Sequence, residues 1–589
     1  MDILGLTTMT ESSAVLLRDG QVVAAVEQER FTRRKHDGGI PYESIQFVLD
    51  AGNTSLADID AVSVYWDPYK LRHRFQYLLK LMVSHPSDFL RKMNRATTVW
   101  RGGHSEGQDA GWTGMFGIGS KLAKHFGVKP QRVEYVDHHL AHMASCYFAS
   151  PFDEAAILIM DGAGEAACTT TGVGRGDTIK VLHEHLLPHS LGHFYSSITG
   201  FLGFRMLDGE YKLMGLSPYG DPSGANWIRQ NYLVTPHPGT YRVRTEALDY
   251  HRALAGDFSG TFQHHFGDPR PQSDTAEFND RHRHIAASAQ SAFEDVVLDL
   301  AIDLRKKTGM RNLTIAGGCG LNCVANGRIL REGVFEQIYV PPVPHDAGGS
   351  LGAAMSLYHT LTGRRPDPVS HAQFGPEFDT GQIESAVASQ AEICCEQLSE
   401  EALIARAADA LQRGEVIAWM QGPMEFGPRA LGNRSFLADP RSDSIRDAIN
   451  AKIKKRELFR PFAPSVKAEK ASEYFEIDQP SPFMTIIVPV REGARDRIPA
   501  VTHVDGTARP QTVDRDVNPR YWKLLDAFEE RTGVAVLLNT SFNIQEPIVC
   551  SPQEALATFA DSTTDALVMG DSWITHRRPK TDPGTGSHS

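Results

Sequence analysis

The residues best suited to chemistry lie in four blocks of the second half: GPMEFGPRALGNRS, INAKIKKRELFRPFAPS, HVDGTARPQTV and LNTSFNIQEPIV. They concentrate Arg, Lys, Asn and Gly in a chain of formal net charge -12. Arg forks grip phosphate oxygens in pairs, Lys adds a point charge on a flexible stem, and Gly-rich turns let backbone N–H groups approach an anion. The combination predicts a site for several phosphates. Because the cations are local and not a basic coat, no nucleic-acid partner is expected.

A second constellation is DHHLAHMAS, where His138 and His142 stand four apart and share one face of a helix. Asp161 ends the apolar run AAILIM, and Asp346 follows IYVPPVPH and precedes a Gly pair. Two imidazoles with two carboxylates would suit a Lewis-acid or redox-capable metal with open positions. His139 points to another face and is read as structural. A third block, AGGCGLNCVANGRI (316–329), sets Gly317, Gly318 and Gly320 between a strand and a helix, with Asn322 inside it. Backbone donors and a helix N-terminus could meet an anion there. Neither a P-loop nor a GxGxxG turn is present, and Cys319 and Cys323 lack a second cysteine pair for zinc.

The elements that must position these residues read as α/β. MDILGLT, SAVLLRDG and QVVAAVEQER form strands, the last two joined at Asp19-Gly20, a hairpin signal. AAILIM, NLTIAGG and QIYVPP are further strands, each ending in Gly plus polar residues, where open α/β sheets place ligands. Residues 68–128 read as a helical insertion with a Gly-rich centre. A Pro- and Gly-rich break at 363–381 separates two domains, 1–370 and 371–575, and 576–589 reads as a disordered tail. The second half alternates helix EALIARAADALQRG, strand VIAWM, strand MTIIVPV, a helix around YWKLLDAFEERTG and strand AVLLN. No internal repeat is evident. Seven cysteines, two of them adjacent at Cys394 and Cys395, fit reduced thiols, and neither a signal peptide nor a membrane span is read, so a cytoplasmic protein is expected.

ERFTRRKH (29–36), DHHLAHMAS, MDGAGE, GEYKLMGLSPYG (209–220), AGGCGLNCVANG, MEFGPRALGNRS, FRPFAPS, HVDGTARPQTV and LNTSFN occur in one colinear series. In these blocks the chain resembles the ATP-dependent O-carbamoyltransferases of antibiotic tailoring and nodulation-factor synthesis, the tobramycin carbamoyltransferase type. The resemblance implies an N-terminal actin-like domain (ASKHA, tRNA threonylcarbamoyltransferase-like) fused to a C-terminal YrdC-like α/β domain. It implies that carbamoyl phosphate and ATP, with Mg²⁺, give carbamoyl adenylate, and that a hydroxyl of a secondary metabolite, such as one on a sugar, then takes the carbamoyl group.

By the resemblance, Arg429, Lys454, Arg460, Arg509 and Ser541 contact carbamoyl phosphate and ATP, with Arg456, Asn539 and Asn543 in support. His138, His142, Asp161 and Asp346 become metal ligands, Fe²⁺ being favoured over Zn²⁺ or Mn²⁺. Gly317, Gly318 and Asn322 would hold the adenylate in the N-terminal domain, and Asp208, Glu210 and Lys212 would meet the acceptor. His138, His142, Lys454 and Glu11 are the catalytic candidates. Glu11 enters because Thr10 and Glu11 stand where relatives carry a His-Asp pair, and a neutral Thr cannot act as a base near neutral pH. Pro423 stands where relatives often carry Arg, which removes one phosphate contact. A homodimer is compatible with the chain. The competing readings are a tRNA-modifying threonylcarbamoyl enzyme, disfavoured by the acidic balance, and a nucleotide-sensing protein without turnover.

Overall fold

The protein is described from a computed structural model covering residues 1–70, 79, 82, 83, 86, 90, 115–244, 260–272 and 277–577. Most of the expected insertion at 68–128 and of the expected tail at 576–589 lies outside the described residues. The chain divides into two compact units, Met1–Ser370 with Thr485–Ile487, and His371–Met484 with Val488–Ser589.

The first unit is built on two five-stranded sheets. One contains β1 (Asp2–Thr7), β2 (Ser13–Arg18), β3 (Gln21–Glu27), β4 (Ala61–Val64) and β5 (Val133–Tyr135) in the order β3-β2-β1-β4-β5. After β5 comes helix α1 (His138–Tyr147). The other sheet contains β6 (Glu154–Met160), β7 (Ala167–Arg175), β8 (Thr178–Leu186), β9 (Asn312–Ala316) and β10 (Gln337–Tyr339) in the order β10-β9-β6-β7-β8. In both sheets the first three strands form an antiparallel meander and the fourth and fifth add in parallel beyond the first. The unit is therefore a topological repeat, which the sequence did not reveal. Strand order answers to packing and connection rules that leave side-chain identity largely free, so two segments can share it with no repeat in sequence. A duplicated 3-2-1-4-5 order is the arrangement expected of an actin-like unit.

Local chemistry explains the elements. Asp19 and Gly20 both take positive φ, 50° and 92°, the conformation that a two-residue hairpin matching strand twist requires. In β6, Ala155 through Met160 have no exposure, as a strand covered on both faces should. The equivalent helices after the fifth strands are α1 and α2 (Gly349–Thr362), and they lie so close that a Cβ on Gly352 would meet the Ala141 carbonyl oxygen at 1.8 Å. Any larger residue at 352 would push apart the two helices whose N-terminal turns carry the site.

The second unit centres on an eight-stranded mixed sheet. Its strands are β11 (Ile393–Gln397), β12 (Ile417–Met420), β13 (Arg434–Ala438), β14 (Ala463–Lys467), β15 (Gln511–Val513), β16 (Val536–Ser541), β17 (Ala566–Met569) and β18 (Ser572–His576). They run in the order β11-β18-β17-β12-β13-β16-β14-β15. The expected strand MTIIVPV is not formed as one element. Only Val488–Pro489 pairs, with Thr507–Ala508, while Thr485–Ile487 belongs to the first unit, where Asn326 donates to the Thr485 carbonyl at 3.0 Å. Its apolar run is divided between two cores and does not fill one sheet position. No helix among the described residues is long and apolar enough to cross a membrane.

Candidate functional site

His138 opens α1, capped by the Asp137 side chain, which accepts from the Leu140 N–H at 3.1 Å. His142 follows one turn on. Asp161 sits at the end of β6, and Asp346 lies in the turn before α2. One ligand atom from each of these four residues falls within 4.8 Å of the others. His138 Nε2 is 3.1 Å from Asp161 Oδ2, and Asp346 Oδ1 is 3.6 Å from both His138 Nε2 and His142 Nε2. Burial opposes a charge on His138, yet Asp346 and Asp161 outweigh it and raise its pKa to about 9. Both ring nitrogens of buried His142 lack a hydrogen-bond partner among the described residues. An orphaned Nε2 set 3.6 Å from the Asp346 carboxylate fits a divalent metal, because buried polar atoms rarely stay unpartnered without reason. His139 is separate. Its Nδ1 meets Thr170 Oγ1 at 2.7 Å, and burial, with His138 nearby, lowers its pKa to about 3.

Gly318 donates its N–H to Asp161 Oδ1 at 2.8 Å, and Gly317, at φ 86°, leaves no room for a Cβ, which would meet the Met160 carbonyl oxygen at 2.2 Å. The glycines thus hold a ligand carboxylate, and the donor that Gly318 was expected to offer an adenylate is already used. Asn322 caps the helix Cys323–Arg331 through Ala325 N at 3.1 Å and exchanges hydrogen bonds with Gln290. Its amide serves a helix end and a core partner, not an open anion site. Glu165, in MDGAGE, was not singled out in the sequence. Its carboxylate accepts from the N–H groups of Asp67 at 2.7 Å and His138 at 3.2 Å, which fixes the first turn of α1.

Glu11, in the β1–β2 turn, lies between two imidazoles: His36 Nδ1 at 2.9 Å and His345 Nδ1 at 2.5 Å. Burial would raise its pKa, but His345 and His36 together hold it well below the usual carboxylate range. Glu11 is thereby an ionised hydrogen-bond acceptor and a weak proton acceptor. Among the acceptor candidates, Asp208 binds His36 Nε2 at 3.0 Å, and Glu210 accepts from Ser196 Oγ at 2.5 Å and Leu207 N at 2.8 Å. Lys212 lies 5.7 Å from the Phe204 ring centre. All three have partners inside the unit.

In the second unit, Glu425 Oε1 organises the GPMEFGPRALGNRS loop by accepting from Leu431 N at 2.6 Å, Asn433 N at 2.9 Å and Arg434 N at 3.3 Å. Buried Arg434 is spent on the carbonyls of Gln421, Gly422, Asn433 and Pro376. The Pro423 carbonyl accepts from Asn433 Nδ2 at 2.9 Å. Asn539, also buried, donates to the Ala430 carbonyl at 3.2 Å and Ser465 Oγ at 3.0 Å, which anchors the segment bearing Arg429 to the sheet.

A π-helical turn over Ile449–Ile453 delivers Lys454 to the end of β16. Its ammonium meets Ser541 O at 2.6 Å, Asn543 O at 2.7 Å, Asn543 Oδ1 at 2.8 Å and Ser541 Oγ at 3.2 Å. The lysine expected to be mobile is fixed and nearly fully buried. Asn450 links Arg456, whose Nε donates to it at 2.7 Å, to the Arg460 carbonyl, to which it donates at 3.1 Å. Arg460 also lies 3.5 Å from Glu457, and Arg509 stands two residues before Gln511, which donates to the Leu431 carbonyl at 2.7 Å. Of the expected set, Lys454 and Ser541 are brought into direct contact, and the segments bearing Arg429 and Arg509 are tied together through Asn539–Ala430 and Gln511–Leu431. Glu425, Arg434 and Asn450 complete it and were missed, although each lies inside a quoted block.

Fold and site define a two-unit α/β protein with a His₂Asp₂ metal-type cluster in one unit and cation-bearing turns on a sheet end in the other. Residues 2–355 match the carbamoyltransferase N-terminus family and residues 408–576 the carbamoyltransferase C-terminus family, and the chain belongs to the carbamoyltransferases. It is 40% identical over 582 residues to nodulation protein NolNO of Sinorhizobium fredii, covering 97% of this chain and 80% of that one. It is 38% identical over 262 residues to a 3'-hydroxymethylcephem-O-carbamoyltransferase of Amycolatopsis lactamdurans, covering 44% and 48% of the respective chains. An uncharacterised Synechocystis protein is 40% identical over 595 residues, covering 96% of this chain and 95% of that one.

Proposed function

We propose that the protein is an O-carbamoyltransferase that makes carbamoyl adenylate from carbamoyl phosphate and ATP in a YrdC-like second unit and transfers the carbamoyl group in the first. The observation that carries this reading is the convergence of His138, His142, Asp161 and Asp346 inside a chain of this family. Water cleaves carbamoyl phosphate to carbamate and phosphate. A carbamate oxygen then attacks the α-phosphorus of Mg²⁺-bound ATP, the bond to the β-phosphate oxygen breaks, and carbamoyl adenylate and pyrophosphate form. Arg429, Arg460, Arg509 and Arg456 offset the phosphate charge, while Lys454 fixes Ser541, whose hydroxyl donates to Asn543 Oδ1 in the free protein and would turn to a phosphate oxygen on binding. Carbamate decomposes in water, so these turns must also exclude solvent.

In the first unit, an acceptor hydroxyl oxygen bonds to the carbamoyl carbon, the bond from that carbon to the adenylate phosphate oxygen breaks, AMP leaves, and the hydroxyl proton passes to solvent. Glu11, kept ionised, accepts a hydrogen bond from the hydroxyl and orients it. A divalent iron, manganese or zinc ion held by His138, His142, Asp161 and Asp346 would supply Lewis acidity toward the phosphate or the carbonyl. Glu165 holds His138 at the helix start, and Gly318 holds Asp161. The acceptor is a small secondary metabolite bearing a hydroxyl, such as one on a sugar, and the relative named as a 3'-hydroxymethylcephem-O-carbamoyltransferase supports a small-molecule hydroxyl. The test separates the half-reactions. His142→Ala should keep carbamoyl-phosphate-dependent pyrophosphate release and lose AMP-coupled carbamoylation of a hydroxyl panel that includes a 3'-hydroxymethylcephem and an oligosaccharide. Equal loss of both would refute the division of labour.

A further inference from the structure

The ERFTRRKH motif takes no part in the steps above, yet the fold surrounds it with buried charge. Glu27 and Arg30, both buried, pair with each other, and Arg30 Nη1 also meets Glu29 Oε1 at 2.6 Å. Glu29 Oε2 accepts from the backbone N–H of His36 at 2.9 Å. The His36 ring then spans Glu11 Oε1 at 2.9 Å and Asp208 Oδ1 at 3.0 Å, and Glu11 Oε2 meets His345 Nδ1 at 2.5 Å, one residue before Asp346. A continuous series of charged contacts therefore joins three loops far apart in sequence to the edge of the metal-type cluster. Glu11, His36 and Leu207, beside Asp208, all take positive φ, at 59°, 54° and 64°. Residues with a Cβ hold that conformation only where the surroundings over-determine it, and here all three loops meet at the same bridge.

Both ring nitrogens of His36 are engaged, so the ring has no lone pair with which to take a substrate proton. Its geometry suits holding, not proton transfer. Resting on the transfer reaction proposed above, we infer that His36 is a positioning residue that fixes Glu11, and through Glu11 the His345 imidazole, beside Asp346. The Asp208 that sequence reasoning gave to the acceptor is the outer anchor of this bridge.

The test uses the full chain, His36→Ala, His36→Gln and Arg311→Ala, a control in an exposed ion pair with Glu336. Each is loaded with cobalt(II), its visible ligand-field spectrum is recorded, and pyrophosphate release and AMP formation are assayed on the same preparations. Cobalt stoichiometry should hold in all four, and the bands should shift in His36→Ala and return part-way in His36→Gln. AMP formation should fall about tenfold in kcat in His36→Ala, as for other residues that orient a metal site, while pyrophosphate release stays unchanged. A wild-type spectrum in folded His36→Ala overturns the proposal, as does loss of folding or of cobalt in both His36 variants. Wild-type protein that takes up no cobalt overturns it too. If wild-type protein takes up cobalt but releases no pyrophosphate, the reaction assignment falls and the spectra still decide the role of His36.

Discussion

Replacing His142 by Ala separates a metal ligand from a packing residue, because the two roles predict opposite metal dependence of stability. The side chain has no exposure, so truncation leaves a cavity that costs about 3–5 kcal/mol by analogy with buried aromatic rings. Both of its ring nitrogens lack partners among the described residues, and removing two such orphans returns about 1–3 kcal/mol each. The terms nearly cancel, so metal-free His142→Ala should unfold within about 3 kcal/mol of the metal-free parent. With metal at a hundredfold excess over Kd, the parent gains about 2.7 kcal/mol and the three-ligand variant much less. Chemical denaturation with chelator, and then with Fe²⁺ under anaerobic conditions, Mn²⁺ or Zn²⁺, measures both numbers. Equal stabilisation of parent and variant by every metal, or a metal-free loss far beyond the cavity term, would refute the ligand role.

Other outcomes follow from contacts in either unit. Glu425→Ala strips three backbone N–H groups of their acceptor, and should destabilise the second unit by about 3–5 kcal/mol in urea melts and abolish pyrophosphate release. Lys454→Met keeps the stem but frees Ser541 and Asn543, and should lower the kcat of pyrophosphate release by about a hundredfold while leaving metal uptake by the first unit intact. Burial works against the charge on His36, but Asp208 and Glu11 raise its pKa to about 11. Its stabilising contribution is therefore complete below its ordinary value near 6.5 and is lost as pH rises toward 11. The melting temperature of the parent should fall more steeply than that of His36→Gln between neutral and alkaline pH, and parallel slopes would contradict the bridge.

Much of this was legible in the chain. Strand–turn chemistry at Asp19-Gly20 and the helical spacing of His138 and His142 are local signals, and both elements form where the spacing places them. The pairing of Asp161 and Asp346 with those histidines needed only the habit of α/β sheets to set polar residues at strand ends. The repeat in the first unit was hidden, because a shared strand order constrains burial and chirality and leaves side-chain identity free. Gly318 and Asn322 were ambiguous for a physical reason: a glycine turn and a helix start can serve a ligand or a neighbouring side chain, and here each has a partner within the fold. The Glu11–His36–Asp208 bridge includes a contact between His36 and Asp208, 172 positions apart, beyond any periodicity, and the split of MTIIVPV depends on where the chain crosses between two cores.

Pyrophosphate release from the purified chain, with ATP, Mg²⁺ and carbamoyl phosphate present together and each omitted in turn, tests the central claim most directly. Release that needs all three and no acceptor is expected of a carbamoyl-adenylate-forming second unit. A folded, metal-loaded protein that releases none, or that releases it equally without carbamoyl phosphate, would contradict that chemistry.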